Sequence, residues 1–89
     1  MKNGTNDLKI NRMQVQKIWF DKQYIFVETN ENKIGKMPLN WFPNLLNATE
    51  NQLQQYELWA NNTWIHWENL KEDLSVDGFF SFNGLNQNN

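Results

Sequence analysis

From Met13 to Phe20 the chain mixes β-branched and aromatic residues with polar ones in partial alternation. Met13, Val15 and Trp19 fall on one side, Ile18 and Phe20 on the other, and a period of two predicts a strand. Asp21-Lys22 reads as a turn. The next run, Tyr24-Ile25-Phe26-Val27, has high β propensity. Tyr24 and Phe26 point opposite to Ile25 and Val27, so both faces are apolar and the strand is expected at the centre of a sheet. Asn30-Glu31-Asn32 makes the next turn, and Lys33 to Met37 is a short third strand ending at Pro38.

The period then changes. Leu39-Asn40-Trp41-Phe42-Pro43 reads as the start of a helix with Asn40 as its N-cap. Pro43 then falls at the third helical position, where its missing N–H costs no internal bond. Trp41 with Leu45, and Phe42 with Leu46, form a stripe at i, i+4 spacing. Thr49-Glu50-Asn51-Gln52 is a capping box, predicting a second short helix through Gln55, with Glu50 favourable against the helix dipole. Tyr56 to Ala60 and Thr63 to Trp67 read as strands joined by a two-residue loop, Asn61-Asn62, since Asn tolerates positive φ. Glu68 to Asp77 is an acidic turn region anchored by Leu70, Leu74 and Val76. Gly78-Phe79-Phe80 fits either a short helix or a terminal strand. The expected architecture is α+β: an antiparallel three-stranded meander, two short helices, then a β-hairpin and a short C-terminal element. Residues 1–10 read as a disordered start, 11–82 as a single domain, and the Asn- and Gln-rich 83–89 as a disordered tail.

At 89 residues the chain is near the size where one core becomes marginal. Aromatics, 15% of the sequence, compensate. Each can bury roughly 150–250 Å², and at ~25 cal/mol/Å² one such ring offsets the ordering entropy of two or three residues. There is no cysteine, hence no disulfide and no thiolate metal site, which suits a reducing cytoplasm. No apolar run approaches the roughly 18–20 residues that span a bilayer, and the polar start lacks the apolar stretch of a signal peptide. The net charge of −2 hides an asymmetry: residues 1–40 carry seven Lys/Arg and four Asp/Glu (+3), residues 41–89 one and six (−5). Nucleic acid wants a clustered basic face. An acidic half is better matched to a basic partner.

The stretch Pro38-Leu39-Asn40-Trp41-Phe42-Pro43, the following Leu46-Asn47-Ala48-Thr49, and Ile65-His66-Trp67 with Leu70, Glu72-Asp73-Leu74-Ser75-Val76 and Gly78 together resemble a small bacterial family, domain of unknown function 2442. The likeness covers roughly residues 13 to 80 in order and spacing. Glu68 stands where the family often has proline and Lys71 where it often has aspartate. The resemblance implies a small α+β domain, and no catalytic residues come with it. Some relatives are fused to a helix-turn-helix, and others are encoded beside a small companion protein in what looks like a toxin–antitoxin arrangement.

His66, the single histidine, lies near Glu68, Glu72 and Asp73. A zinc site wants three or four ligands including His or Cys, and one His does not supply that. On a strand His66 shares a face with Trp64, opposite Ile65 and Trp67. Ser75 and Thr63 lack a base and an orienting group, so nucleophilic catalysis has no support. The Glu72-Asp73 pair reads more readily as a turn or cap. Trp41, Phe42, Trp59, Trp64 and Trp67 are first of all core, yet five Trp in so small a domain are hard to bury entirely, and exposed Trp is a usual interface anchor. Base stacking by the same rings is opposed by the charge of their half. The partner-binding candidates are therefore Trp41, Phe42, Trp59, Trp64, His66, Glu72 and Asp73, with no cofactor and no metal expected. The expected function is a non-enzymatic cytoplasmic protein-binding module pairing with a small companion, antitoxin-like or regulatory, free to self-associate. The alternative is a phage-borne inhibitor of a host nuclease such as a CRISPR effector, acting through an acidic aromatic face.

Overall fold

The computed structural model describes residues 13–87. The expected disordered start at 1–10 lies outside the described residues, as do residues 88 and 89 of the expected tail.

Two three-stranded antiparallel sheets share one apolar core. The first runs β1 (Val15–Phe20), β2 (Tyr24–Thr29) and β3 (Ile34–Pro38), with β2 in the middle. The centre position follows from composition: Ile25 and Val27 are buried on one face, while Tyr24 and Phe26 cover the other. Asp21 closes the β1–β2 turn, its Oδ1 accepting from the backbone N–H groups of Gln23 and Tyr24 at 2.7 Å each. In β1 the simple alternation fails. A bulge between Val15 and Lys17 inserts one residue, which reverses which side later residues face. Val15 pairs with Thr29, Ile18 with Val27 and Phe20 with Ile25. All three therefore face the core, and Trp19 turns outward to stack on Phe26 at 5.3 Å.

A 3₁₀ turn (Leu39–Trp41) and two one-turn helices, α1 (Pro43–Leu46) and α2 (Glu50–Leu53), cross to the second sheet. Asn40 is not the cap of α1. Phe42 occupies that place without a side-chain bond and Pro43 is the first helical residue, where proline's fixed φ suits helix initiation. The break separates the expected stripe: Leu39 and Leu45 are buried, Phe42 is half-buried, and Trp41 and Leu46 are exposed. The capping box of α2 forms in both directions, Gln52 N–H to Thr49 Oγ1 at 3.1 Å and Thr49 N–H to Gln52 Oε1 at 2.9 Å.

The second sheet is β4 (Glu57–Trp59), β5 (Trp64–Trp67) and β6 (Glu72–Ser75), with β5 central. The hairpin extends to a third strand, because part of the acidic region read as a turn is β6. Leu74 supplies its buried position opposite Ile65, and Lys71 at φ 55° turns the chain into it. The β4–β5 turn is also longer than two residues. Ala60, Asn61 and Asn62 all take positive φ, and Thr63 N–H reaches Trp59 O at 3.1 Å. Left-handed backbone costs roughly 1–2 kcal/mol per ordinary L-residue and less for Asn. The docking of this turn on the first sheet offsets that cost: Asn62 O accepts from Val15 N–H at 2.8 Å and Asn61 O from Gln14 Nε2 at 3.0 Å.

The chain closes with α3 (Val76–Gln87). Gly78-Phe79-Phe80 is thus helical, and the helix takes in residues 83–87, which composition assigns to the tail. Ser75 starts it, its Oγ accepting from Gly78 N–H at 3.1 Å. Phe79 is fully buried against β3, and Gly35 makes that approach possible. A Cβ there would sit 3.0 Å from Phe80 Cζ and 3.1 Å from Phe79 Cβ. The core joins Val15, Ile25, Val27 and Met37 of the first sheet to Ile65, Trp67 and Leu74 of the second, with Leu39, Leu45, Leu53, Val76 and Phe79 between. Trp67 is its largest member, fully buried, with Nε1–H donating to Leu53 O at 3.1 Å and Tyr56 edge-on at 6.1 Å.

Candidate functional site

Because strands alternate, burying Ile65, Trp67 and Leu74 commits their neighbours to the outside of the second sheet. Register defines that outer face as two rows across three strands. Glu57, His66 and Asp73 are aligned in one, Trp59, Trp64 and Ser75 in the other. Side chains directly opposite on one face stand roughly 4.5–5.5 Å apart at Cβ, so all six share one patch. Trp59 and Trp64 remain 47% and 42% exposed. The indole of Trp59 lies nearly flat on the imidazole of His66, ring centroids 3.8 Å apart and planes 19° apart, while its Nε1–H donates to Glu57 Oε1 at 3.0 Å. Trp64 makes no such ring contact among the described residues.

His66 is held from both sides. Nδ1 meets Asp73 Oδ1, and Nε2 meets Glu68 Oε1 at 2.7 Å. A neutral imidazole has one N–H and so satisfies only one carboxylate. The protonated ring satisfies both. The hydrogen bond from Asp73, then that from Glu68, raises the His66 pKa above its ordinary 6.5, against a smaller opposing effect of burial. The same contact with His66 lowers Glu68 below the usual carboxylate range. The imidazole side chain is only 11% exposed, whereas Glu68 and Asp73 reach solvent. With a carboxylate on each nitrogen, His66 has no lone pair left to offer a metal. Among the described residues no group of three His, Asp or Glu side chains is arranged to hold an ion.

The sequence-derived candidates divide. Trp59, Trp64, His66 and Asp73 converge on this face. Glu72 does not: it pairs with Trp67 in register, on the other face. Trp41, 52% exposed, and half-buried Phe42 belong to the 3₁₀ turn and the start of α1 and not to the strands of this sheet. Glu57 was missed. The signal for it is the i, i+2 spacing from Trp59, which places both on whichever face Trp59 takes. Elsewhere, an open cleft of about 520 Å³ lies between β1 and α2, lined by Ile18, Trp19, Phe20, Glu50, Asn51, Leu53 and Gln54. Its one ionisable group, Glu50, has no second to work with as acid or base.

Among the described residues, no helix is long and apolar enough to cross a membrane. No curated protein matches the chain. The chain is similar to a crystal structure of a protein of unknown function from Rhodospirillum rubrum. The two share 25% identity at a TM-score of 0.65, over 80% of this chain and 88% of that one. A family profile described as "Protein of unknown function (DUF2442)" matches residues 15–82, which takes in both sheets, α1, α2 and the start of α3. The α+β architecture expected from the sequence and the match over both sheets agree, and the chain belongs to the DUF2442 family.

Proposed function

We propose that the chain is a non-enzymatic protein-binding module acting in the cytoplasm, where it pairs with a small companion protein as an antitoxin or regulatory subunit does. The contact is the outer face of the second sheet. One observation carries the reading: two indoles opposite each other on an outward sheet face, each more than 40% exposed and bordered by carboxylates. Leaving that much aromatic surface in water forgoes roughly 25 cal/mol/Å² of available burial, and Trp is the residue most enriched at interface hot spots. The His66 clamp keeps the Trp59 ring flat and in place, so little side-chain entropy is lost when a partner covers it.

The test is co-expression with the product of the adjacent gene, followed by native mass spectrometry. A one-to-one complex that the Trp59→Ala/Trp64→Ala double variant fails to form, while keeping its far-UV circular dichroism, supports the proposal. Absence of a complex with the unaltered chain, or an undiminished complex with the double variant, counts against it. A second reading, a phage-borne inhibitor filling the nucleic-acid groove of a host nuclease, draws on the same carboxylates. Competition between the chain and oligonucleotide for that nuclease separates the two.

A further inference from the structure

We propose that the partner enters this face with an arginine side chain, its guanidinium stacked on Trp64 and forked between Glu57 and Asp73. The inference rests on the reading above that the face binds protein, and it specifies the chemistry of what binds. Four features of the face lead to it.

The first is an open ring. Trp59 is already covered on one side by His66, whereas Trp64, its cross-strand neighbour, is 42% exposed and makes no ring contact among the described residues. The second is charge. Glu57, Glu68 and Asp73 border the rings, and among the described residues no Lys or Arg forms an ion pair with any of them. The ion pairs of the first sheet, Lys17–Glu28 and Lys33–Glu31, lie elsewhere. Lys71, before β6, acts on Glu68 through space without forming an ion pair with it. The third is unused acceptor capacity. Glu57 gives Oε1 to Trp59 and Asp73 gives Oδ1 to His66, which leaves the second oxygen of each carboxylate to accept from a ligand. Glu57 lies diagonally from Trp64 across the β4–β5 pair, and Asp73 diagonally across the β5–β6 pair. The fourth is shape. A planar cation that stacks on an indole while its N–H groups reach carboxylates on either side is a guanidinium; an ammonium is a compact point charge without a face to stack.

The occupant is a basic partner and not a second copy, because a second copy would bring the same acidic half, one Lys against six Asp/Glu over residues 41–89, onto this acidic face. Docking a cation here also opposes the charge on His66. Glu57 faces the imidazole from β4, Asp73 from β6 and Glu68 from its own strand's end, and Lys71 acts electrostatically on Glu68. A guanidinium added to that set competes with the imidazolium for the same carboxylates, so binding strengthens as His66 loses its proton.

Fluorescence titration of the full chain with hexa-arginine and hexalysine peptides of equal length and charge tests this. The expected result is binding of hexa-arginine about fivefold tighter than hexalysine, the size of one exposed cation–π contact. Trp64→Ala should erase the preference and Glu57→Gln reduce it. Glu31→Gln, which removes the same charge from a turn of the first sheet, should leave it intact. Affinity for hexa-arginine should rise between pH 6 and 8.5. Equal affinity for the two peptides, or an arginine preference that survives in Trp64→Ala, overturns the inference. The two proposals fail separately. A companion complex that needs Trp59 and Trp64, with no arginine preference, sinks only the guanidinium; an arginine preference with no companion complex sinks only the pairing role.

Discussion

Removing the Trp67 side chain tests the packing argument most directly. Trp67 is fully buried where the second sheet meets α2, with Nε1–H donating to Leu53 O at 3.1 Å and Tyr56 edge-on at 6.1 Å. Truncating a large core aromatic to alanine costs roughly 3–5 kcal/mol. A buried carbonyl left without its donor costs about 1–3 kcal/mol, and the lost edge contact about 0.5–1.5 kcal/mol. These overlap, so the expectation for Trp67→Ala is about 4–5 kcal/mol. A small domain has ~5–15 kcal/mol in total, so Trp67→Ala should remove about a quarter of it or more. Trp67→Phe separates the contributions. It keeps most of the ring while removing the N–H, and should cost about 1–3 kcal/mol, the carbonyl's share. Urea titration followed by far-UV circular dichroism measures both. A loss below about 1 kcal/mol for Trp67→Ala would place the indole outside the core and refute the packing described above. Equal losses for the two variants would show that the hydrogen bond, and not ring burial, dominates.

Three further outcomes follow from the structure. Gly35→Ala should lower stability by about 1–3 kcal/mol in thermal melts, as overpacking does; the new Cβ meets Phe79 Cβ at 3.1 Å, an atom fixed to the helix backbone that cannot swing aside as the tip of the Phe80 ring can. Thr49→Ala should cost about 1 kcal/mol by opening the capping box, and Thr49→Ser should restore most of it. For His66, whose folded pKa is raised, the stabilisation is complete below about 6.5 and is lost as pH climbs through the raised value. Glu68, lowered by the same contact, acts at the other end: its contribution is present above its unfolded pKa and is lost as pH falls through the folded one. NMR titration of the imidazole should show its midpoint above 6.5, and His66→Gln should flatten the stability profile on the alkaline side; an unshifted midpoint would break the clamp argument.

Composition and period sufficed for the α+β class, for β2 at the centre of its sheet, for the capping box of α2 and for Trp64 and Trp67 on opposite faces of one strand, while which tryptophans stay exposed came from the tertiary structure. Each of these follows from a rule whose range is a few residues. Alternation along one strand assigns faces, and a Thr three residues before a Gln satisfies orphan amides of the same turn. Three features were decided only by tertiary contacts. The bulge in β1 accompanies two long-range contacts of Val15, with Thr29 in register and with the Asn62 carbonyl, and a single inserted residue reverses the facing of Trp19. The acidic region around Glu72 and Asp73 becomes a strand because β5 offers it an unpaired edge and Leu74 a buried slot opposite Ile65. The candidate site divides for the same reason. Glu72 and Asp73 are adjacent in sequence and opposite in space once a pleat separates them, while Glu57, His66 and Asp73, spread along the chain, come into line through hydrogen-bonded register. Pattern states how each strand is painted; only pairing decides which painted faces meet.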